Sequence, residues 1–200
     1  TQGVDHLVCL PKTAWPPTAL AEQFPTPLYV FDEAYIRRMM RIYQDTINTE
    51  YQGKGLVLYA SKAFSCEAVY SIARSEGIGV DVVSGGELYT ALRAGFPADK
   101  ITMHGNNKLP YEIEQALDAH IGMIVVDSHS EADFIEREAE KRGIVQNVLG
   151  RINPGVEAHT HAYVQTATPD SKFGFSVANG AAEEMTGYVL SKPHLRLHGY

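Results

Sequence analysis

A single lysine stands at the end of an apolar run in GLVLYASKAFSCEA (55–68), where residues 55–60 read as a buried strand and Lys62 follows at once. Such a lysine is either a solvated end-cap or a nucleophile. To form an imine its amine must be unprotonated, against a reference pKa near ~10.4. Burial beside other cationic groups would lower that value and activate the nitrogen.

Other polar residues stand in the same relation to apolar runs: Ser84-Gly85-Gly86-Glu87, His104 to Lys108 (HGNNK), Asp127-Ser128 and Arg151-Ile152-Asn153. SGGE is most simply a tight turn at a helix N-terminus, with Glu87 favourable to the helix dipole; its glycines would also let backbone approach a planar ligand. HGNNK carries more polar groups than a turn requires, although Asn and Gly are common turn residues. Arg151 lies inside an apolar run and wants a buried anionic partner. A carboxylate, or an aromatic face to stack on, would serve. His159 and His161 alternate, so an extended chain would point both the same way, but no nearby cysteine or carboxylate set completes a metal site. Asp170-Ser171-Lys172, followed by FGF, reads as an ordered loop. Cys9 and Cys66 lack C-x-x-C spacing, which disfavours a disulfide framework or a thiolate zinc site. No G-x-S-x-G motif supports a serine hydrolase.

The elements that must position these groups recur with a rhythm. Apolar runs fall at 55–60, 79–84, 100–105, 122–128, 147–154 and 195–200, with amphipathic stretches at 66–77, 86–95, 111–120, 131–143 and 181–191 between them. Gly77, Gly95 and Gly143 close three of those stretches, as left-handed helix caps prefer. Upstream, Pro11, Pro16, Pro17, Pro25 and Pro27 make residues 1–27 irregular, PLYVF (27–31) is a short β-rich run, and Asp32 caps a helix whose Ile36, Met39, Met40 and Tyr43 share a face. Continuous apolar strands alternating with helices indicate a parallel sheet covered by helices. Neither G-x-G-x-x-G nor G-x-x-x-x-G-K-[ST] is present, which disfavours an open nucleotide-binding sheet. Polar groups after many different strands favour a (β/α)8 barrel, whose chemistry gathers at the strands' C-terminal ends. A closed barrel typically needs about 250 residues, so six strand runs in 200 residues are expected to be part of one. The long stretch 155–180 falls at the expected active face and is a candidate functional loop.

Bulk properties narrow the class. With 44% hydrophobic and 20% charged residues the chain is ordinary globular material. A net charge of −7 argues against non-specific nucleic-acid binding. No stretch approaches the roughly 20 apolar residues of a membrane span, and TQGVDHLVCL lacks the basic start and apolar core of a secretory signal. A reduced, cytoplasmic setting is expected.

In this order, YASKAF, VDVVSGGEL, HGNNK, RINPG, THAYVQT and SKFGF resemble the N-terminal half of the diaminopimelate decarboxylases, over roughly residues 25–200. These are pyridoxal 5'-phosphate enzymes of the alanine-racemase-like class. The lysine motif and SGGE are common to the wider decarboxylase group; HGNNK and the THAY…SKFGF stretch resemble the diaminopimelate branch more specifically. The resemblance implies a pyridoxal-phosphate-binding (β/α)8 barrel of α/β class, only partly covered, over residues 32–200. Residues 1–31 would associate with a C-terminal β-domain that the chain lacks. It implies that Lys62 holds the cofactor covalently, that Asp81 and Glu87 lie near it, that His104 and Asn106 line its pocket, and that Arg151 lies beneath the ring or supports its acidic partners. The implied reaction is decarboxylation of meso-2,6-diaminopimelate to L-lysine and CO2 in a cytoplasmic homodimer, with an amino acid as small-molecule substrate. The groups that grip the phosphate and choose the substrate are expected beyond Tyr200, so the 200 residues alone are expected to bind the cofactor poorly and turn over nothing. Alternatives are a sister decarboxylase of ornithine, arginine or carboxynorspermidine, a non-catalytic homologue acting as a binding module, and a pyridoxal-phosphate carrier.

Overall fold

The computed structural model describes residues 17–155 and 173–200. Six strands form one parallel sheet: β1 (Leu58–Ala60), β2 (Gly79–Val82), β3 (Ile101–Met103), β4 (Met123–Val126), β5 (Gln146–Gly150) and β8 (Leu195–Gly199). Their spatial order is their chain order, β1-β2-β3-β4-β5-β8. A doubly wound sheet reverses its strand order at a switch point. No reversal occurs here, and each crossover advances one place, as successive strands of a barrel do. The barrel expectation therefore holds, as an arc rather than a closed ring. Two short strands, β6 (Ile152–Asn153) and β7 (Phe175–Ser176), pair in parallel apart from the main sheet.

Helices α1 (Pro17–Gln23) and α2 (Glu33–Glu50) precede the sheet. Between the strands run α3 (Glu67–Ser75), α4 (Gly85–Arg93), α5 (Pro110–Asp118), α6 (His129–Arg142) and α7 (Ala181–Leu190). Asp32 caps α2 by accepting the Tyr35 N–H at 2.9 Å. Gly143 caps α6 at φ 63, a conformation that glycine adopts without steric cost. The strand face toward the helices is apolar and closed: Val80, Val82, Ile101, Met103, Ile124, Val126 and Val148 are buried with Leu88 and Ala91 of α4, Ile113 and Leu117 of α5, Ile135 of α6 and Met185 of α7. Side chains alternate between faces along a strand. The register aligns Ala60 with Asp81, Asp81 with Thr102, and Thr102 with Met123, so these four lie on the other face.

Three local expectations need correction. PLYVF (27–31) forms no strand, and Leu28, Tyr29, Val30 and Phe31 are exposed; a β-prone run needs a neighbouring strand, and no described strand pairs with it. The irregular N-terminal stretch contains α1, with Leu20 buried. Pro17 opens that helix at a position whose missing N–H has no intrahelical acceptor anyway. Finally, the run 147–154 is not one strand. Arg151 still donates its N–H to the Val126 carbonyl at 2.9 Å, but Ile152 and Asn153 turn away to pair with β7.

Candidate active site

The groups that could act gather at the C-terminal ends of β1 to β5. Lys62 lies in a single 3-10 turn, Ser61–Ala63, directly after β1, and is exposed while Ser61 before it is buried. The burial expected of Lys62 is thus absent among the described residues. On the neighbouring strand, Asp81 is the last residue but one of β2 and pairs with Ala60. Its Oδ2 is 3.8 Å from Nδ1 of His104, too long for a hydrogen bond, and its Oδ1 is buried without any partner. A buried acceptor left unmade costs about 1–3 kcal/mol, so this oxygen is suited to a donor brought by a ligand. His104 extends β3 by donating its N–H to the Val82 carbonyl.

At β4 and β5 the polar groups are already engaged. The Asp127 carboxylate, only 4% exposed, accepts from Arg151 through Oδ2 at 3.1 Å and from the Gly174 N–H through Oδ1 at 2.9 Å. The Arg151 guanidinium also lies 4.4 Å over the Phe173 ring. Both partners that the sequence led us to expect for a buried arginine, a carboxylate and an aromatic face, are present. Their effect is to pin the FGF segment onto the end of the sheet, reinforced by the Phe175 N–H donating to the Arg151 carbonyl at 2.8 Å.

Glu87 and Asn106 are placed differently from the Asp81–His104 pair. Glu87 occupies the third position of α4, where Ser84 caps its N–H at 3.2 Å and its own Oε2 accepts from the Val83 N–H at 2.8 Å. This reciprocal arrangement holds the helix end. Asn106 is exposed and lines a cavity of about 250 Å³ with Asn107, Lys108, Ser128 and Glu131. The last residue of HGNNK, Lys108, has no exposed side-chain surface and donates to the Gly105 carbonyl and to Glu131, each at 2.6 Å. Glu131 was not singled out in the sequence, and Asp127 and Lys108 were noted there without a role of their own, yet all three hold the loops that carry the candidate residues. One signal was available: Ser128-His129-Ser130-Glu131 is a capping box. His159, His161 and Asp170 to Lys172 lie outside the described residues. Among the described residues, no group of three or more His, Cys, Asp or Glu could hold a metal ion, and no helix is long and apolar enough to cross a membrane.

The chain that carries these groups is similar to known proteins over most of its length. The family described as "Pyridoxal-dependent decarboxylase, pyridoxal binding domain" matches residues 33–200. The chain belongs to this family. Among its relatives, the diaminopimelate decarboxylases of Bacillus methanolicus and Bacillus subtilis are each 48% identical over 180 residues, 90% of this chain and 41% of theirs. That of Mycobacterium tuberculosis is 46% identical over 184 residues, 92% of this chain and 40% of its own. Solved structures agree. Diaminopimelate decarboxylase of M. jannaschii in co-complex with L-lysine superposes with a TM-score of 0.79 at 35% identity, over 90% of this chain and 42% of that one. The Helicobacter pylori enzyme complexed with L-lysine gives 0.80 at 32% identity, over 91% and 46%. This pyridoxal-binding domain thus spans about two fifths of the length of the curated relatives it matches. The residues present fit a pyridoxal group: Lys62 offers an accessible amine, and the Asp81 Oδ1 needs a hydrogen-bond donor.

Proposed function

We propose that this chain is the cofactor-bearing part of a diaminopimelate decarboxylase, releasing CO2 from meso-2,6-diaminopimelate to give L-lysine. The observation that carries the reading is the 48% identity to proteins of that name over 90% of the chain. It is supported by the gathering of Lys62 after β1, Asp81 near the end of β2 and His104 after β3, three adjacent strands.

In this reading Lys62 anchors pyridoxal 5'-phosphate through its side-chain nitrogen. When bound, that cofactor supplies an electron sink for the carbanion left by departing CO2. Asp81 offers its unpartnered Oδ1 to the ligand, and His104, 3.8 Å from its other oxygen, lines the same pocket. Asn106, in the turn after β3, reaches the ligand from the cavity that it lines with Asn107 and Lys108. Arg151 acts from the side, held by Asp127 and Phe173. Glu87 acts by keeping the SGGE turn closed, so that backbone of that turn can approach the ligand. The working enzyme is read as a cytoplasmic homodimer. Residues 1–31 belong with a β-domain and 32–200 with the barrel.

The experiment uses the full-length protein offered diaminopimelate, ornithine, arginine and carboxynorspermidine in turn, with release of CO2 measured. Release from meso-diaminopimelate alone is expected, and Lys62→Ala abolishes it. Release from another of these compounds in preference reassigns the substrate, and release from none makes the protein a non-catalytic homologue. The 200-residue chain assayed alone is expected to release none.

A further inference from the structure

The turn that presents Lys62 is closed by a bond spanning it. The Tyr59 hydroxyl, three residues before the lysine, donates to the carbonyl of Phe64, two residues after it, at 2.8 Å. The Phe64 ring lies flat on Phe31, with centroids 4.6 Å apart and planes inclined by 6°. One residue further, Ser65 Oγ is 2.9 Å from the hydroxyl of Tyr70, which is fully buried in the core. Both flanks of the turn are therefore fixed while Lys62 at its apex stays exposed. The turn has little else to hold it. It is one 3-10 turn with no side-chain cap at its start, and such turns have poor hydrogen-bond geometry of their own. Burial raises the pKa of the Tyr59 hydroxyl above its ordinary value, so it remains a donor well past neutral pH.

We propose that Tyr59 is a positioning residue for Lys62: through the Phe64 carbonyl its hydroxyl fixes the turn from which the lysine reaches the cofactor. The inference rests on the reading of Lys62 as the cofactor's anchor. Its physical content is orientation. An amine carried on a turn of fixed shape meets its target without first losing the freedom of the backbone beneath it. The spacing Tyr-Ala-Ser-Lys-Ala-Phe is then accounted for at both ends, since Tyr59 supplies the donor, and Phe64 supplies the acceptor and the ring that seats it against Phe31.

The test compares full-length wild type, Tyr59→Phe and Tyr59→Leu, each loaded with pyridoxal 5'-phosphate. Three quantities are read: the visible circular dichroism of the bound cofactor, its retention on dilution, and the residue to which borohydride fixes it. The thermal midpoint of the cofactor-free protein serves as control. In the wild type, fixation is expected on Lys62. Tyr59→Phe keeps the ring's packing and a near-wild-type midpoint, but retains cofactor about three- to tenfold less tightly, the worth of one net hydrogen bond, with a weakened dichroic signal. Tyr59→Leu loses at least as much. Wild-type-like retention and dichroism in Tyr59→Phe overturn the inference and leave the anchor reading standing, whether or not the midpoint falls. No fixation on Lys62 in the wild type overturns the anchor reading and this inference with it.

Discussion

The Nζ of Lys108 lies 2.6 Å from the Oε1 of Glu131, and the lysine side chain has no surface exposed to solvent. The same carboxylate accepts the Asp127 N–H through Oε2 at 2.7 Å, while Lys108 also reaches the Gly105 carbonyl. One side chain thus joins the turn after β3 to the end of β4. An equivalent link lies one step back, where Glu112 accepts the Leu109 N–H at 2.8 Å and the Gly85 N–H at 2.7 Å. The loops at the site are consequently tied to one another beneath the residues that face the ligand.

Replacing Lys108 by Met should cost about 3–5 kcal/mol, because Glu131 is left buried with its charge unpaired. The double variant Lys108→Met/Glu131→Gln should recover most of that loss, since its amide oxygen can still accept from Asp127 N–H. Urea midpoints of the two variants check this. A double variant no more stable than the single one would contradict the compensation argued here.

A second expectation concerns acid. The guanidiniums of Arg41 and Arg37 hydrogen-bond Glu76 and bring its pKa from 4.5 down to about 2. Between those values the unfolded chain binds more protons than the folded one, so stability rises with pH through the window. The contribution is fully present above about 4.5 and lost as pH falls toward 2. The contact ties α2 to the C-terminal end of α3. Glu76→Gln should lower the thermal midpoint at pH 7 and flatten its dependence on pH below 4.5, as scanning calorimetry across that range would show.

Among the described residues of the site, Gly174 is the position where a side chain is excluded twice over. Its φ is +72, and a Cβ there would lie 2.9 Å from both the Arg151 carbonyl oxygen and the Ile152 carbonyl carbon. Gly174→Ala should therefore cost about 1–2 kcal/mol for the left-handed backbone alone, with the clash added. A urea midpoint unchanged from wild type would mean that the segment rearranges freely.

These ties also mark how far the sequence could be read. Strand and helix runs were visible because burial on one face imposes its period locally, and Asp32 and Gly143 were visible as caps for the same reason. PLYVF misled because β propensity reflects packing against neighbours more than any preference of the chain itself. Lys62 was legible as an anomaly, a charge ending an apolar run. Asp127 was only noted in passing, since its importance depends on Arg151, 24 residues ahead, and Gly174, 47 residues ahead. No periodicity records partners at that distance. Lys108 posed the opposite problem: in HGNNK it looked like one more ligand group, and only its complete burial against Glu131 shows that it is engaged within the protein.

The final expectation concerns the Asp127 clamp. Its two oxygens serve different partners, Gly174 N–H on one and Arg151 on the other. Asp127→Asn can keep only the first, because its amide nitrogen is a donor and would face the donors of the guanidinium. A hydrogen bond to a charged group is worth about 1.5–3 kcal/mol, so a loss of that size is expected. Arg151→Met breaks the same pair from the other side and leaves a nearly buried carboxylate without its cation. If the two act through one contact, the double variant costs less than the sum of the singles, by about 0.5–3 kcal/mol. Denaturant titration of the three variants measures that coupling. Strict additivity would mean that Asp127 holds the FGF segment without help from Arg151, and that the arginine's work lies with the Phe173 ring alone.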